Sequence, residues 1–520
     1  MRKLFLILSF IGAFATVASA QKEFAALDLP MNRAEDLVSV ADKNGNVAIY
    51  YYQNGNLNFA LVSPSGEQVA KHEIPYRLSQ DPQLLGTRVT DDEFIFYSRH
   101  TSGRKEFIQP FAINRKSGAF RSLQETQLKI DRNMSFLGGF GDNQNFYLLY
   151  TDKDGNLHMY RDGQDAGMFE QKTFETDMPR TRERYARENE LIFVHPDLER
   201  SVFTGHHRSK IYLQDNKIHM IFDGYPVRGK DSDEVTTEIL TLDWQSGEST
   251  YRTLPTIEQR GNPSFNSFLH NNTLFRVNLE KDMLNLTAYN FNTLQPVKEY
   301  KYSDEEEITI KSTPVQQRGA GGIFSPEKKV IEKTSKVMKN LANGIPAITV
   351  DTFNDSTLQL TIGSYLPPHD NNRANDRNRM VRTPDQYVST PRGLMMIPGR
   401  WVPAYHIPSY YLSSPFYSRY FYDPFGQGAA RTPSGPGTST YFRAVLDADD
   451  LSKAEQDEKA VVVLQDKVDE FEQELKPTPS HMTVYRYGDK LHYGYYDKRT
   501  RTYRIVEFTP EQQAAAASKK

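Results

Sequence analysis

The feature that most constrains this chain is a recurring local pattern, a polar Asn, Asp or Gly pair followed by apolar residues at every second position. Seven copies occur. They are Asn44-Gly45 before Val47, Ile49 and Tyr51; Asp91-Asp92 before Phe94 and Phe96; and Asp142-Asn143 before Phe146, Leu148 and Tyr150. Asp215-Asn216 precedes Ile218, Met220 and Phe222; Asn271-Asn272 precedes Phe275, Val277 and Leu279; and Asn354-Asp355 precedes Leu358, Leu360 and Ile362. Gly488-Asp489 before Leu491, Tyr493 and Tyr495 completes the set. Alternation launched from residues that tolerate positive φ is what a tight β-hairpin needs, because the primed turns match strand twist.

Between Leu37 and Ile74, Asn44-Gly45, Asn54-Gly55 and Ser65-Gly66 separate four short strands in an up-and-down meander, the content of one propeller blade. The first three turns are 47 and 51 residues apart, close to blade-length repeats, and later spacings grow through insertions. On these turns the chain resembles a β-propeller of six or seven blades over most of Leu37 to Phe508, at the level of architecture only. The Gly-His and Trp-Asp marks of WD40 blades are absent, and Gly138-Gly139 is a single doublet unlike kelch repeats. A string of β-sandwiches also gives short strands with frequent turns, but it requires linkers that the first three units lack.

The expected class is therefore all-β, with two inserted helices. Ser325-Pro326-Glu327 reads as a cap, first-turn proline and acid, with Gly344 as terminator; Val330, Val337 and Leu341 then share a face of a helix over 325–344. A second helix, 451–476, carries Val461, Leu464, Val468, Phe471 and Leu475 as a narrow stripe and stops at Pro477. Its two heptads favour packing on the propeller side over a partner coiled coil.

At the N-terminus, Met1-Arg2-Lys3, the apolar run Leu4 to Phe14 and Ala18-Ser19-Ala20 read as a signal peptide over 1–20, too short an apolar run to span a membrane. Residues 21–36 then form an N-terminal segment suited to closing the propeller of 37–508, and 509–520 form a tail with no sorting signal. There is no cysteine, which excludes disulfides, thiolate metal sites and a lipidated N-terminal cysteine. Export without disulfides points to a bacterial periplasmic or secreted protein. A net charge of −3 and mean hydropathy of −0.64 argue against nucleic-acid binding and a polytopic membrane protein.

One stretch departs from the repeat. Residues 365–440 hold eleven of the 28 prolines, eight arginines without a lysine, and a cluster of aromatics. No regular element is expected there. Aromatics and arginine dominate interface hot spots, so Arg392, Arg400, Trp401, Tyr405, Tyr410, Tyr411, Tyr417, Arg419 and Tyr420 are the candidate binding residues. The alternative is that they bury against the propeller and only pin the excursion.

Catalytic residues are not legible. His206-His207, with His195 and His219 nearby, is the one histidine cluster, and Asp152, Asp154 and Asn156 echo a calcium loop that has Leu157 where glycine is needed; no metal site or cofactor is expected. Asp223, Asp351 and Asp497 are candidate acids for an alternative reading as a glycoside hydrolase or lyase acting at a propeller channel mouth. The favoured expectation is an exported propeller that binds or scaffolds a protein or glycan in the cell envelope, with peripheral envelope association and no transmembrane segment after cleavage.

Overall fold

A computed structural model describes residues 21–31, 34–75, 83–102, 105–131, 134–141, 144–163, 167–176, 191–194, 202–223, 234–258, 264–318, 328–366, 380–382, 386–390, 393–397, 401–403, 438–455, 461, 464, 467, 468, 471, 475 and 480–509. The signal-peptide reading, His195 and the Asp142-Asn143 turn lie outside the described residues. Two compact units emerge, one of residues up to Pro75 with those from Val462 onward, the other Tyr76–Val461.

The first unit holds two four-stranded antiparallel sheets. Sheet 1 runs Glu35–Ala41, Val47–Gln53, Asn56–Val62, Gln68–Pro75 in chain order. Sheet 7 consists of Ser480–Tyr487, Lys490–Asp497 and Thr502–Phe508, and its outer strand is the N-terminal Gln21–Leu27, with Gln21 opposite Phe508 and Leu27 opposite Tyr503. The edge strands Glu35–Ala41 and Ser480–Tyr487 meet through Ser39 Oγ and Thr483 Oγ1 at 2.8 Å. Phe471, on the helical stretch that includes residues 464, 467, 468 and 471, lies edge-on to Tyr493, Tyr495 and Phe508.

Among the described residues the second unit holds five sheets of four or five strands and three two-stranded ones. Sheet 2 spans Gln83–Val89 to Thr126–Leu128, sheet 3 Ser135–Gly141 to Phe169–Phe174, sheet 4 Leu191–Phe193 to Ser249–Thr253, and sheet 5 Phe265–His270 to Pro296–Ser303. Sheet 6 orders Lys328–Ile331, Val315–Arg318, Thr438–Asp447, Thr357–Leu366 and Ile345–Asn354. Successive sheets share apolar cores: Tyr97 stacks on Phe146 between sheets 2 and 3, Phe140 meets Phe193 at a tilt between 3 and 4, and Tyr212 meets Phe268 edge-on between 4 and 5. Inner strands are therefore apolar on both faces, as in Phe146–Thr151, whereas outer strands alternate, as in Gln68–Pro75 and Pro296–Ser303. Consecutive up-and-down sheets stacked face to face make a propeller-like repeat. Each of the six turn pairs among the described residues sits where two adjacent strands of one sheet join, in a different sheet each time.

Three expectations need correction. The helix over 325–344 is shorter: Lys328–Ile331 is an edge strand paired with Val315–Arg318, and the helix is Thr334–Ala342, burying Val337 and Leu341 while Val330 is exposed. Pairing with an available strand overrides the local cap signal. The helix expected from 451 does not begin there, since Leu451 has φ 57 in a turn and Lys453 bridges to Leu446. The proline-rich insertion does contain regular structure, described below. Among the described residues no helix is long and apolar enough to cross a membrane.

Candidate functional site: the foot of the insertion on sheet 6

The two central strands of sheet 6 pair over ten positions, from Thr357 opposite Asp447 to Leu366 opposite Thr438. Residues 367–437 thus leave and return at one hydrogen-bonded pair, as an enlarged hairpin connection. Within them Met380–Arg382 pairs antiparallel with Trp401–Pro403, and Gln386–Thr390 with Gly393–Ile397. These are nested steps of one hairpin, contrary to the expectation of no regular element. Proline is tolerated at strand ends, where Pro403 stands. Of the candidate binding residues, Trp401 lies on a strand opposite Arg382; Arg392, Arg400, Tyr405, Tyr410, Tyr411, Tyr417, Arg419 and Tyr420 lie outside the described residues.

The foot is built of ring and guanidinium groups. The Tyr365 ring lies tilted against His206 with centroids 4.6 Å apart, and the His206 ring lies 4.4 Å from that of His207. Tyr441 is flanked by Arg443 at 5.4 Å and Arg318 at 6.0 Å, distances at which a cation is attracted to the ring face. The short helix Val202–Gly205 delivers the two histidines, packed so closely on Ile345–Asn354 that a Cβ at Gly205 would stand 2.8 Å from the Ile348 carbonyl oxygen. Both histidines therefore fall on one side, as a loop permits and a strand does not. Burial, then His206 and the Lys210 ammonium, hold His207 well below the ordinary histidine range, so the pair sits beside a cation already in place. Among the described residues no group of three His, Asp or Glu is placed to hold a metal ion.

Beneath the foot lies a sealed polar junction of sheets 4, 5 and 6. Asn266 Nδ2 donates to the carbonyls of His206, His207 and Pro346 at 3.1, 3.3 and 2.9 Å. Lys210 Nζ donates to His207 O, Asn266 Oδ1 and Ser267 O at 2.5, 2.5 and 2.9 Å, which engages all three of its protons. Asp223 accepts from Ser267 N and Oγ, both at 2.8 Å, and from Thr237 Oγ1 at 2.7 Å. Lys210 and Asp223 have no exposed surface. With their hydrogen bonds directed to neighbouring strands, the two side chains bolt those strands together.

The other two acids have settings of their own. Asp351 lies on the strand Ile345–Asn354, five residues past Pro346 and about 16 Å along it. Asp497 caps a hairpin turn, accepting from the amides of Arg499 at 2.9 Å and Thr500 at 3.4 Å. Asp152 is likewise spent on its turn, with Oδ1 accepting from Asp154 N and Asn156 N, and Asp42 repeats the same bonds with Asn44 and Asn46. Burial of Asp152 is outweighed by bonds from His158 and Asn156, and its pKa falls. His158 also meets Thr173 Oγ1 at 3.0 Å, an order resembling a catalytic relay, but His219 meets Thr241 Oγ1 at 2.9 Å in the next sheet. A pair repeated across strands of neighbouring sheets is a packing device.

Sequence reasoning missed Lys210, Asn266, Arg318, Tyr365, Tyr441 and Arg443. Lys210, which follows Arg208 and Ser209 at the start of the strand Ser209–Gln214, carried no signal that sets it apart from a solvated strand end.

No family model and no curated protein matches this chain. Among solved structures, an uncharacterized protein of Listeria monocytogenes is 11% identical, with 66% of this chain and 82% of that one covered and a TM-score of 0.30. A GH43 endo-arabinanase of Bacillus licheniformis is 14% identical over 54% and 96%, with a TM-score of 0.22. The WD40 domain of SCAP from fission yeast is 8% identical over 64% and 95%, with a TM-score of 0.26. Likenesses of this size carry nothing about activity. The successive, mainly antiparallel sheets of four or five strands among the described residues themselves give this chain the architecture of a β-propeller-like repeat protein.

Proposed function

We propose that this chain is an exported bacterial seven-bladed propeller, closed by the strand Gln21–Leu27, that binds or scaffolds a protein or glycan partner in the cell envelope through its insertion. The observation that carries the reading is the insertion's origin: 71 residues connect the two sides of one paired position, Leu366 opposite Thr438, next to Tyr365, His206, Tyr441, Arg318 and Arg443. A chain that only had to join two adjacent strands needs a few residues. The insertion's aromatics and arginines bring large contact area and planar donors, which suits recognition more than spacing. Trp401, Tyr405, Tyr410, Tyr411, Tyr417 and Tyr420 would supply rings, and Arg392, Arg400 and Arg419 would pair carboxylates or stack. Export rests on the leader-like 1–20.

The test is replacement of 369–436 by a short Gly/Ser linker, with circular dichroism and urea unfolding to establish that the variant folds. Cross-linking co-purification from the native host should then lose a reproducible partner that the intact chain retains. An unchanged partner set from a folded variant overturns the proposal.

A further inference from the structure

The sequence contains three Asn-Gly pairs, Asn44-Gly45, Asn54-Gly55 and Asn343-Gly344. Asn-Gly is the dipeptide most open to succinimide chemistry, because glycine puts no side chain in the way of its own amide nitrogen. The attack requires that nitrogen to be free of other bonds and the turn to have room to pucker. The fold treats the three pairs differently.

Gly45 N donates to Asp42 O at 3.1 Å, and the Tyr487 ring lies where a Gly45 Cβ would stand, 2.7 Å away. Gly344 N donates to Leu341 O at 3.3 Å, and its would-be Cβ lies 2.9 Å from Ser364. Gly55 N has no such acceptor in the two-residue turn between Gln53 and Asn56, nothing lies within 4 Å of its would-be Cβ, and the Asn54 side chain is exposed. Both residues of that turn have positive φ, 52 at Asn54 and 80 at Gly55.

We infer that Asn54 is a self-modification site, converting to isoaspartate and aspartate in the folded protein while Asn44 and Asn343 are protected. The Gly55 nitrogen bonds to Asn54 Cγ, the bond from Cγ to Nδ2 breaks, and ammonia leaves with the proton from Gly55. Water then opens the ring at either carbonyl, so no oxidant or further reactant is needed. Isoaspartate places an extra methylene in the backbone of a two-residue turn whose register pairs Gln53 with Asn56, so the product loosens sheet 1 at this hairpin and adds one negative charge.

The test is incubation of the full mature chain in mildly alkaline buffer, folded and in urea, followed by peptide mapping of all three sites for amide-to-acid conversion and isoaspartate. In the folded protein Asn54 should convert about ten-fold faster than either other site, the factor that one retained hydrogen bond on the attacking nitrogen supplies. In urea the three rates should converge. Equal rates in the folded protein, or protection of Asn54 as strong as that of Asn44, overturn the inference. An Asn54→Ser variant should lose the acidic species seen by ion exchange; its persistence would place the modification elsewhere.

Discussion

Taking Lys210 and Asp223 out of water costs several kcal/mol for each ion, and only a full set of partners offsets that loss. Both have such sets, and they share Ser267, whose carbonyl oxygen accepts from Lys210 while its amide and hydroxyl serve Asp223. Asp223→Ala should therefore destabilise the second unit by about 3 kcal/mol, read as a lower urea midpoint, because it strands the donors of Ser267 and Thr237. Histidines set a second residue-scale expectation. Burial, helped by Arg252 and Lys217, pushes His219 down to about 4 from its ordinary 6.5, and burial also lowers His492 against the opposing pull of Glu507. The unfolded chain then binds protons that the folded one refuses. Stability is full above about pH 6.5 and falls progressively toward pH 4, on the order of 3 kcal/mol from His219 alone. Urea midpoints across that range check the sign, and His219→Gln should flatten part of the slope. None of this was legible in the sequence, since whether a lysine, aspartate or histidine is buried depends on strands far away in the chain.

Elements show where local sequence suffices. The seven turn pairs were legible because Asn and Gly adopt positive φ cheaply, and the structure finds it at Gly45, Asp215, Asn216, Asn271 and Gly488. A second repeated turn was missed. Asn114, Asp243, Asn290, Asp447 and Asp497 each accept the amides two and three residues on, and their carbonyls accept the fourth. The fourth residue is always left-handed, but it is Gly118, Gly247, Leu294, Leu451 or Arg501, so glycine does not flag it. Arg501→Gly should stabilise by up to about 1 kcal/mol in thermal unfolding, since it removes left-handed backbone strain at an exposed site. Gly247→Ala, with nothing near its would-be Cβ, should cost about 1 kcal/mol for the same reason. Gly66→Ala should cost more, because its Cβ would stand 2.0 Å from the Phe24 carbonyl oxygen.

For the molecule as a whole, the sheet of Ser480–Tyr487, Lys490–Asp497 and Thr502–Phe508 is completed by Gln21–Leu27, the first strand among the described residues. Deleting Gln21–Leu27 would expose the edge of Thr502–Phe508, and the truncated protein should unfold at a lower urea concentration and self-associate in sedimentation. Excising 369–436 should leave the urea midpoint nearly unchanged, because the paired positions Leu366 and Thr438 remain. The sequence by itself determined the repeat, its period-two strands and its first turns, as these depend on residues within one hairpin. It also marked the insertion, by composition. Tertiary structure decided what depends on distant partners: that Gln21–Leu27 pairs with Thr502–Phe508, that Lys328–Ile331 is a strand and not a helical turn, and that Asp223 is a buried acceptor and not a free acid. Hairpin turns are settled over a few bonds, whereas edge pairing and burial are settled only when separate strands meet, from about a dozen residues apart for Lys328–Ile331 to nearly the whole chain for Gln21–Leu27.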